Sequence, residues 1–556
     1  MRLKKVSIIV ACIVTSTVLA TSTKYVYASS SYNGTNINSS LNATKKPDHV
    51  TLTWAKDPKT TQTITWRTST DVNNGEVQYS ELNSSKHKTI KAVKELFKTS
   101  TTDNTTGSMN VFSVTLTDLK PETTYSYKVG DGDNWSDAST FKTESKNNRN
   151  TKFLIFGDSQ SGNDAVPNYE PWHKTIQNAF NANKNANFFI NMGDLVEKGQ
   201  YYVHWNNWFN AAKGVINKIP NMPVQGNHET YDAAGWNTTK PQYFVNQFKV
   251  PQNGPDGYKG QVYSYDYGNA HFVVLDSQEE EEAAGNDEFI KAQAEWLDED
   301  LSSTKKEWKF VLFHKTPYYN KASRANIVLE KYLDPIIEKH HVDVVFNGHD
   351  HGVSRTYAMK NGKYYSDFSK GTVYYVTGRS GQKYYSDLTS KVWDAFFYDP
   401  NDMPCYEVAN IKGDKLTVNA YKQDGTKIDS LVIDKANPKN STKMVLPTSY
   451  NVDTDNPEVA AIGADPRLVI YGTPIAFGSN QAEYTNGKAY ANPTLIAAYL
   501  GGNYDAAART LKLGSNTMKF DASDISSKGN ISIDALNAKG FYCKYNTQFN
   551  MVMVEK

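Results

Sequence analysis

The sequence predicts a multidomain chain: an all-β sandwich, then an α/β sandwich with two central sheets flanked by helices, then a small α+β repeat domain. Three observations carry that expectation. Residues 46–145 alternate apolar and polar positions between clusters of turn residues. Residues 150–435 alternate short apolar runs with segments of helical periodicity. Residues 488–513 match 529–554 at an offset of about 41 residues. At 556 residues the chain is also too long for one core, so three or four domains are expected.

Taken from the start, Arg2, Lys4 and Lys5 precede an apolar stretch from Val6 to about Ala20. Val26-Tyr27-Ala28 then offers small residues where a signal peptidase reads, so residues 1–28 form a secretory signal cleaved after Ala28. The tract is a little short for a full span, and an uncleaved anchor is the alternative. Ile9-Val10-Ala11-Cys12 formally fits a lipoprotein box but comes too early, with most of the apolar tract behind the cysteine. Residues 1–28 hold four basic and no acidic residues, so cleavage takes the formal charge from +1 to about −3. That balance excludes a general nucleic-acid binder, leaving nucleotides only as substrates. No second apolar span follows, so no transmembrane segment is expected after cleavage. Cys405 and Cys543 fall in different predicted domains, which argues against a disulfide.

Residues 29–45 (SSSYNGTNINSSLNATK) are too polar to pack and read as a linker. Within 46–145 the runs HVTLTWA, QTITWRT, EVQYSE, FSVTLTDL, TYSYKVG and STFKT are the predicted strands. Leu119-Lys120-Pro121 followed by Tyr125 has the form of a sandwich corner. In 150–435 helices are expected at 172–183, 204–217, 292–301 and 327–339, and late strands at 372–379 and 406–425, the last a hairpin that closes a sheet. Residues 436–464 are rich in Pro, Asn, Asp, Ser and Thr and read as a second linker. In 465–556 each repeat reads as short strand, helix, strand pair, with Leu495, Tyr504, Leu511 and Leu513 matched by Leu536, Tyr545, Val552 and Val554.

Five short motifs carry the chemistry: GDSQ (157–160), GDLVE (193–197), GNHE (226–229), FH (313–314) and GHDH (348–351). Each follows a short apolar run: FLIF (153–156), NFFINM (187–192), MPVQ (222–225), KFVLF (309–313) and VDVVFN (342–347). They therefore sit on loops past strand ends, where open α/β sheets place ligands. Asp, Asp, Asn, His, His and His converging there make a site for one or two metals. The glycines 157, 193, 226 and 348 are expected to let the backbone turn sharply beside the ions.

The motif order resembles the calcineurin-like metallophosphoesterases, and within them the purple acid phosphatase branch. The 46–145 segment resembles the fibronectin type III-like domain that precedes the catalytic domain in that branch. The resemblance implies an acid-phosphatase-like phosphomonoesterase with two metal ions, whose water is acidified to hydroxide. It implies that Asp194 bridges the ions, that Asp158 and His351 complete one site, and that Asn227, His314 and His349 complete the other. It implies that His228 touches the phosphate and protonates the leaving oxygen. A set of imidazole, carboxylate and amide oxygen without thiolate suits Fe, Mn or Zn. Residues 465–556 resemble the copper amine oxidase N-terminal-like domain, often appended to secreted proteins of Gram-positive bacteria. That implies a secreted or surface-associated protein of a Gram-positive bacterium, with a cell-wall or surface component as partner of the last domain. The segment contains no histidine, so copper is not implied.

Two positions depart from the family. Gln160 stands where many metallophosphoesterases have His, and is read as a hydrogen-bonding neighbour of the metal site rather than a ligand. Glu197 stands where purple acid phosphatases have a Tyr ligand, and is read as a solvated loop acid. No purple charge-transfer band is expected. Glu279–Glu282 reads as an exposed acidic loop. His204, Trp205 and Trp208 read as helix packing plus a rim position. Arg355, Arg379 and Tyr318 are candidate substrate contacts. The competing readings are an extracellular phosphodiesterase or nucleotidase, and a surface-binding protein with a vestigial metal site.

Overall fold

A computed structural model describes residues 40–450, Asn237 excepted, and 455–556. The signal-peptide reading and most of the first linker lie outside the described residues.

The N-terminal domain is a two-sheet sandwich. One sheet orders Asp48–Thr53, Gln62–Thr68, Ser108–Leu116 and Val93–Lys98; the other is built on Glu76–Glu81 and Thr124–Asp131. Inward residues of both sheets, among them Ile64, Trp66, Phe112, Tyr127 and Phe141, form one apolar core. The corner is real: Lys120 N donates to the Tyr125 hydroxyl at 2.8 Å. Where residues 29–45 enter the described region they are docked, not free. Leu41 is buried, and its carbonyl accepts from Arg67 Nη1 at 3.0 Å and Asn206 Nδ2 at 3.3 Å. The 99–107 loop ties this domain to the next. Asp103 Oδ2 accepts from Tyr202 N at 3.0 Å and the Tyr243 hydroxyl at 2.9 Å.

The central domain stacks two sheets. The five-stranded sheet orders Phe188–Asn191, Asn150–Phe156, Cys405–Lys412, Lys415–Lys422 and Lys427–Asp434. The seven-stranded sheet orders Tyr263–Tyr267, Ala270–Val274, Trp308–Leu312, Val344–Asn347, Val373–Thr377, Val353–Thr356 and Asp394–Tyr398. Within each sheet the strands that lead into motifs are parallel to one another: Phe153 pairs with Phe188, and Phe310 with Val344. Their loops therefore leave at the same sheet ends. Aromatic rings join the sheets. Phe153 stacks on Phe188 and meets Phe272 and Phe310 edge-on, with centroids 5.1–5.9 Å apart.

Three elements differ from expectation. The MPVQ run forms no ladder strand; it follows Phe188–Asn191 through isolated bridges at Asn221 and Val224, because Pro220 and Pro223 lack an N–H. The helix expected over 327–339 is two, Ile327–Tyr332 and Asp334–Lys339, broken ahead of Pro335. The acidic run is a short helix, Glu279–Ala283, rather than an exposed loop. Lys315 pairs with Glu280 and Glu281 at 3.0 and 2.9 Å, and Lys240 with Glu282 at 2.9 Å.

The last domain shows the repeat directly. Lys488–Ala491, Pro493–Tyr499, Asn503–Asp505 and Thr510–Leu513 correspond to Ile531–Ser532, Ile533–Asn537, Tyr542–Asn546 and Met551–Glu555. Leu511, Leu536, Val552 and Val554 are fully buried. They belong to an apolar cluster that continues into the central domain through Tyr319, Tyr364 and Trp393. Most of residues 436–450 are exposed, but the segment is anchored: Thr442 N donates to Val432 O at 2.9 Å and Met444 is buried. Cys405 and Cys543 are buried free thiols. Among the described residues no helix is long and apolar enough to cross a membrane.

Candidate metal centre

Four loops at the sheet ends bring five residues together. Asp194, His314 and His349 form one group, and Asp158, Asp194 and His351 another; in each group one ligand atom per residue lies within 4.8 Å of the others. Asp194 is common to both. His314 Nε2 lies 3.2 Å from Asp194 Oδ2 and 3.1 Å from His349 Nδ1. His351 Nε2 lies 3.3 Å from Asp158 Oδ1. All five side chains are buried.

The backbone is forced into this arrangement. Asp158, Asp194, His349 and His351 adopt positive φ, between 48° and 73°. Such residues cost of order 1–3 kcal/mol each and persist only where their surroundings over-determine them. Here the surroundings are backbone hydrogen bonds: Asp158 N to Gly193 O at 3.2 Å, His349 N to the Asp158 carboxylate at 3.0 Å, and His228 N to Asp194 Oδ1 at 2.9 Å. Of the four motif glycines only Gly193 has positive φ. At Gly157, Gly226 and Gly348 the requirement is space, not a sharp turn. A Cβ on Gly226 would fall on Asp194, and one on Gly348 would come 3.0 Å from Asp158 Oδ2.

The donor set fits a bound cation. His314 Nδ1 lies 2.7 Å from Met192 O, and a carbonyl only accepts, so Nδ1 carries the hydrogen and Nε2 turns its lone pair to the cluster. His351 does the same through Lys383 O at 3.0 Å, and its Nε2 is buried without a partner. Asn227 Nδ2 donates to the Tyr231 hydroxyl at 3.0 Å, leaving Oδ1 buried and unpartnered. An unmet buried acceptor costs about 1–3 kcal/mol, which a cation would recover. Burial would raise the Asp194 pKa, but His314 and His228 hold it well below the usual carboxylate range. Burial works against a charged His314, yet Asp194 and Asp158 raise its pKa to about 9. Without a cation, the carboxylates draw a proton onto this imidazole; metal binding releases such protons.

His228 sits beside the cluster. Its Nδ1 lies 2.6 Å from Glu197 O and its Nε2 2.7 Å from Lys383 Nζ, with Asp194 Oδ2 3.8 Å away. Gln160 Nε2 donates to Asp194 Oδ2 at 3.1 Å. Glu197 is not solvated. It is buried, accepts from Gly162 N at 2.8 Å and lies 3.4 Å from Lys383 Nζ. His204 packs in the core, 3.0 Å from the Tyr169 hydroxyl.

The three candidate substrate contacts are committed elsewhere. Arg355 pairs with Asp429 at 2.8 Å between the sheets. Arg379 donates to Pro400 O, Gly381 O and Gln382 O, clamping the loop that leads to Lys383. The Tyr318 hydroxyl donates to Asp334 at 3.0 Å, among aromatic residues on the side of the C-terminal domain.

Other residues shape the site without having been singled out. Glu229 accepts four backbone N–H groups, from Asp194, Leu195, Val196 and Gly226, at 2.7–3.2 Å. It thereby locks the second and third motif loops together; its place inside GNHE was the available signal. Arg324 donates to His349 O and Asp350 Oδ1, both at 2.9 Å. The Tyr385 ring lies 4.3 Å from that of His351. Lys383 and Tyr385 lie in KYYSD, which carries no recognisable pattern.

Two stacked sheets with carboxylates, imidazoles and an amide gathered on their strand-end loops define the phosphoesterase class of α/β sandwich. Residues 151–353 match the calcineurin-like phosphoesterase family, and residues 47–143 match the purple acid phosphatase N-terminal domain. The chain thus carries a purple acid phosphatase N-terminal domain followed by a calcineurin-like phosphoesterase domain. It is similar to purple acid phosphatase 23 of Arabidopsis thaliana, 28% identical over 35% of this chain and 41% of that one. It is also similar to probable inactive purple acid phosphatase 27 of the same plant, 25% identical over 51% and 52%. The chain thus spans roughly two fifths to half of these relatives. Its fold matches purple acid phosphatase PPD1 from yellow lupin (Lupinus luteus) seeds, with TM-score 0.57 and 20% identity over 70% of this chain and 74% of that one.

Proposed function

We propose that this chain is a secreted, metal-dependent phosphohydrolase that cleaves phosphomonoesters. The observation that carries the reading is the pair of ligand groups sharing Asp194, whose Oδ1 accepts from His228 N, the residue after Asn227 with its buried, unpartnered Oδ1. Asp158, Asp194 and His351 would hold one ion; Asp194, Asn227, His314 and His349 would hold the other. Two such ions supply a nucleophile at neutral pH and positive charge over the phosphoryl oxygens. The protein's own part is positional. Glu229 fixes the Asp194 loop, Met192 O and Lys383 O orient two imidazoles, and His228 faces the space beside Asp194 as acid for the leaving oxygen.

Iron, manganese or zinc suits the donor set. Tyr202, five residues after Glu197, does not replace the tyrosine absent there. The Tyr202 hydroxyl is bonded to Gln247 at 2.7 Å, and the Tyr231 hydroxyl accepts from Asn227. The iron-loaded protein should therefore show no strong visible charge-transfer band; a purple protein would contradict the ligand set. The domain limits given above, the copper amine oxidase N-terminal-like character of residues 465–556, a surface partner for them and a Gram-positive source complete the proposal.

Metal analysis of the purified chain, with rates on an aryl phosphate, its bis-ester and a nucleotide, tests the activity. Two ions and fastest monoester turnover are expected. A faster diester or nucleotide would favour the phosphodiesterase or nucleotidase reading. Absence of metal and activity would favour the surface-binding protein with a vestigial site.

A further inference from the structure

We propose that Lys383 is a substrate-binding residue that makes the site prefer the dianionic terminal phosphate of a monoester over a diester; this rests on the phosphohydrolase reading above. Its ammonium is held in place. Nζ lies 2.7 Å from His228 Nε2 and 3.4 Å from Glu197 Oε1. Those two partners, among the described residues, leave one of its three N–H bonds for a ligand. The side chain keeps 18% of its exposure.

The main chain places it rigidly. Ser380 N donates to Gly157 O at 2.7 Å, Gly381 N to Asp158 O at 3.0 Å and Gln382 N to Gln160 O at 3.1 Å. A Cβ on Gly381 would collide with the Ser159 backbone, so the two loops touch there. Lys383 O accepts from His351 Nδ1. The residue whose carbonyl orients one candidate ligand thus carries its ammonium to the candidate acid.

Charge explains the preference. His228 Nδ1 faces a carbonyl and so carries the hydrogen, which leaves Nε2 to accept from Lys383. In this tautomer the ammonium is the N–H donor beside the site, and His228 serves as acid only once its Nε2 has taken up a proton. Arg355 is paired with Asp429, and Arg379 donates to Pro400 O and Gly381 O. A monoester carries close to two negative charges at neutral pH and a diester one. A fixed cation contacting a non-bridging oxygen favours the former.

The test uses the metal-loaded full chain with Lys383→Gln, Lys383→Met and Lys383→Arg. In the Gln and Met variants, kcat/KM for an aryl phosphate should fall about 10–100-fold, the size of one charge-assisted hydrogen bond. For the bis-ester it should fall less than about 3-fold, and Lys383→Arg should restore part of the difference. The affinity for inorganic phosphate, measured by calorimetry, should weaken about 10-fold with metal content unchanged. Equal losses on both esters, or an unchanged phosphate affinity, would overturn the proposal. If the wild-type chain hydrolyses neither ester, the phosphohydrolase reading fails instead, and phosphate binding by wild-type and variants still decides the role of Lys383.

Discussion

The metal loops and the seam between the central and C-terminal domains are both buried, yet they are held by opposite means. At the metal loops the holding atoms are backbone N–H and C=O groups aimed at carboxylates and imidazoles. The conformation they impose is strained: four candidate ligands sit at positive φ. At the seam the holding groups are rings. Trp393 lies 5.2 Å from Tyr319 and 5.8 Å from Tyr318, and its indole fills the space over Gly472 that a Cβ would take. The difference separates function from stability. Changing a cluster side chain should remove chemistry and spare the fold, because the backbone network remains. Changing a seam ring should weaken the fold and spare the chemistry.

The largest expected effect breaks the first half of that comparison. Asp194→Asn keeps the shape and one acceptor but removes the shared negative charge. Its carboxylate is the only group common to both ligand clusters. Hydrolysis should fall by at least ~10³-fold, with metal content reduced. The thermal midpoint of the metal-free protein should move little, since His228 N and Gln160 Nε2 can still reach the side chain. A fold lost together with activity would show that the cluster is structural, as the seam is.

How much of each region could be read from the sequence follows from the same difference. Five of the six candidate ligands follow a strand and Asn227 follows the strandless MPVQ run, all in contiguous motifs, so local pattern sufficed to propose them. Lys383 reaches His228 from 155 positions away, and only the packing of its loop on Gly157–Gln160 brings it there. Glu197 was read as solvated because a loop acid usually is; the Gly162 amide and Lys383 enclose it. Arg355 and Arg379 have the composition of anion binders, and nothing local reveals Asp429 or Pro400 O as their partners. At the seam, the repeat in 488–554 was legible from its period. Its attachment was not, because the polar 436–464 segment looks unpackable until Thr442 pairs with Val432 and Met444 finds a pocket.

A smaller effect tests the second half. Trp393→Ala leaves a void between Tyr318, Tyr319 and Gly472, and should cost about 3–5 kcal/mol of stability. It should appear as a lower denaturation midpoint, or as an early transition if the last domain separates first. Below that transition, metal content and turnover should match wild type. A loss of turnover there without loss of structure would mean that the seam positions the site, and the separation of roles would be wrong.

The smallest effect concerns a place of neither kind, where charges hold structure far from the metal loops. His271 lies between Asp266 and Asp300, with ring nitrogens 2.8 and 2.7 Å from their carboxylates. Burial opposes its charge, but hydrogen bonds to the two carboxylates raise its pKa to about 9. A raised folded-state value means the stabilisation is fully present below the unfolded value near 6.5 and is lost as pH rises through about 9. The shift bounds the contribution at about 3 kcal/mol, and the 46% exposure of the Asp266 side chain lowers it through solvent screening. Urea midpoints of the metal-free protein at pH 6 and pH 9.5 should differ in wild type, and differ less in His271→Asn. In the metal-free protein His314 also carries a raised value of about 9 and adds a pH dependence of its own, which His271→Asn leaves in place. An unchanged pH dependence in His271→Asn would assign the whole effect to the metal loops, and would show that charge holds structure only where it also holds metal.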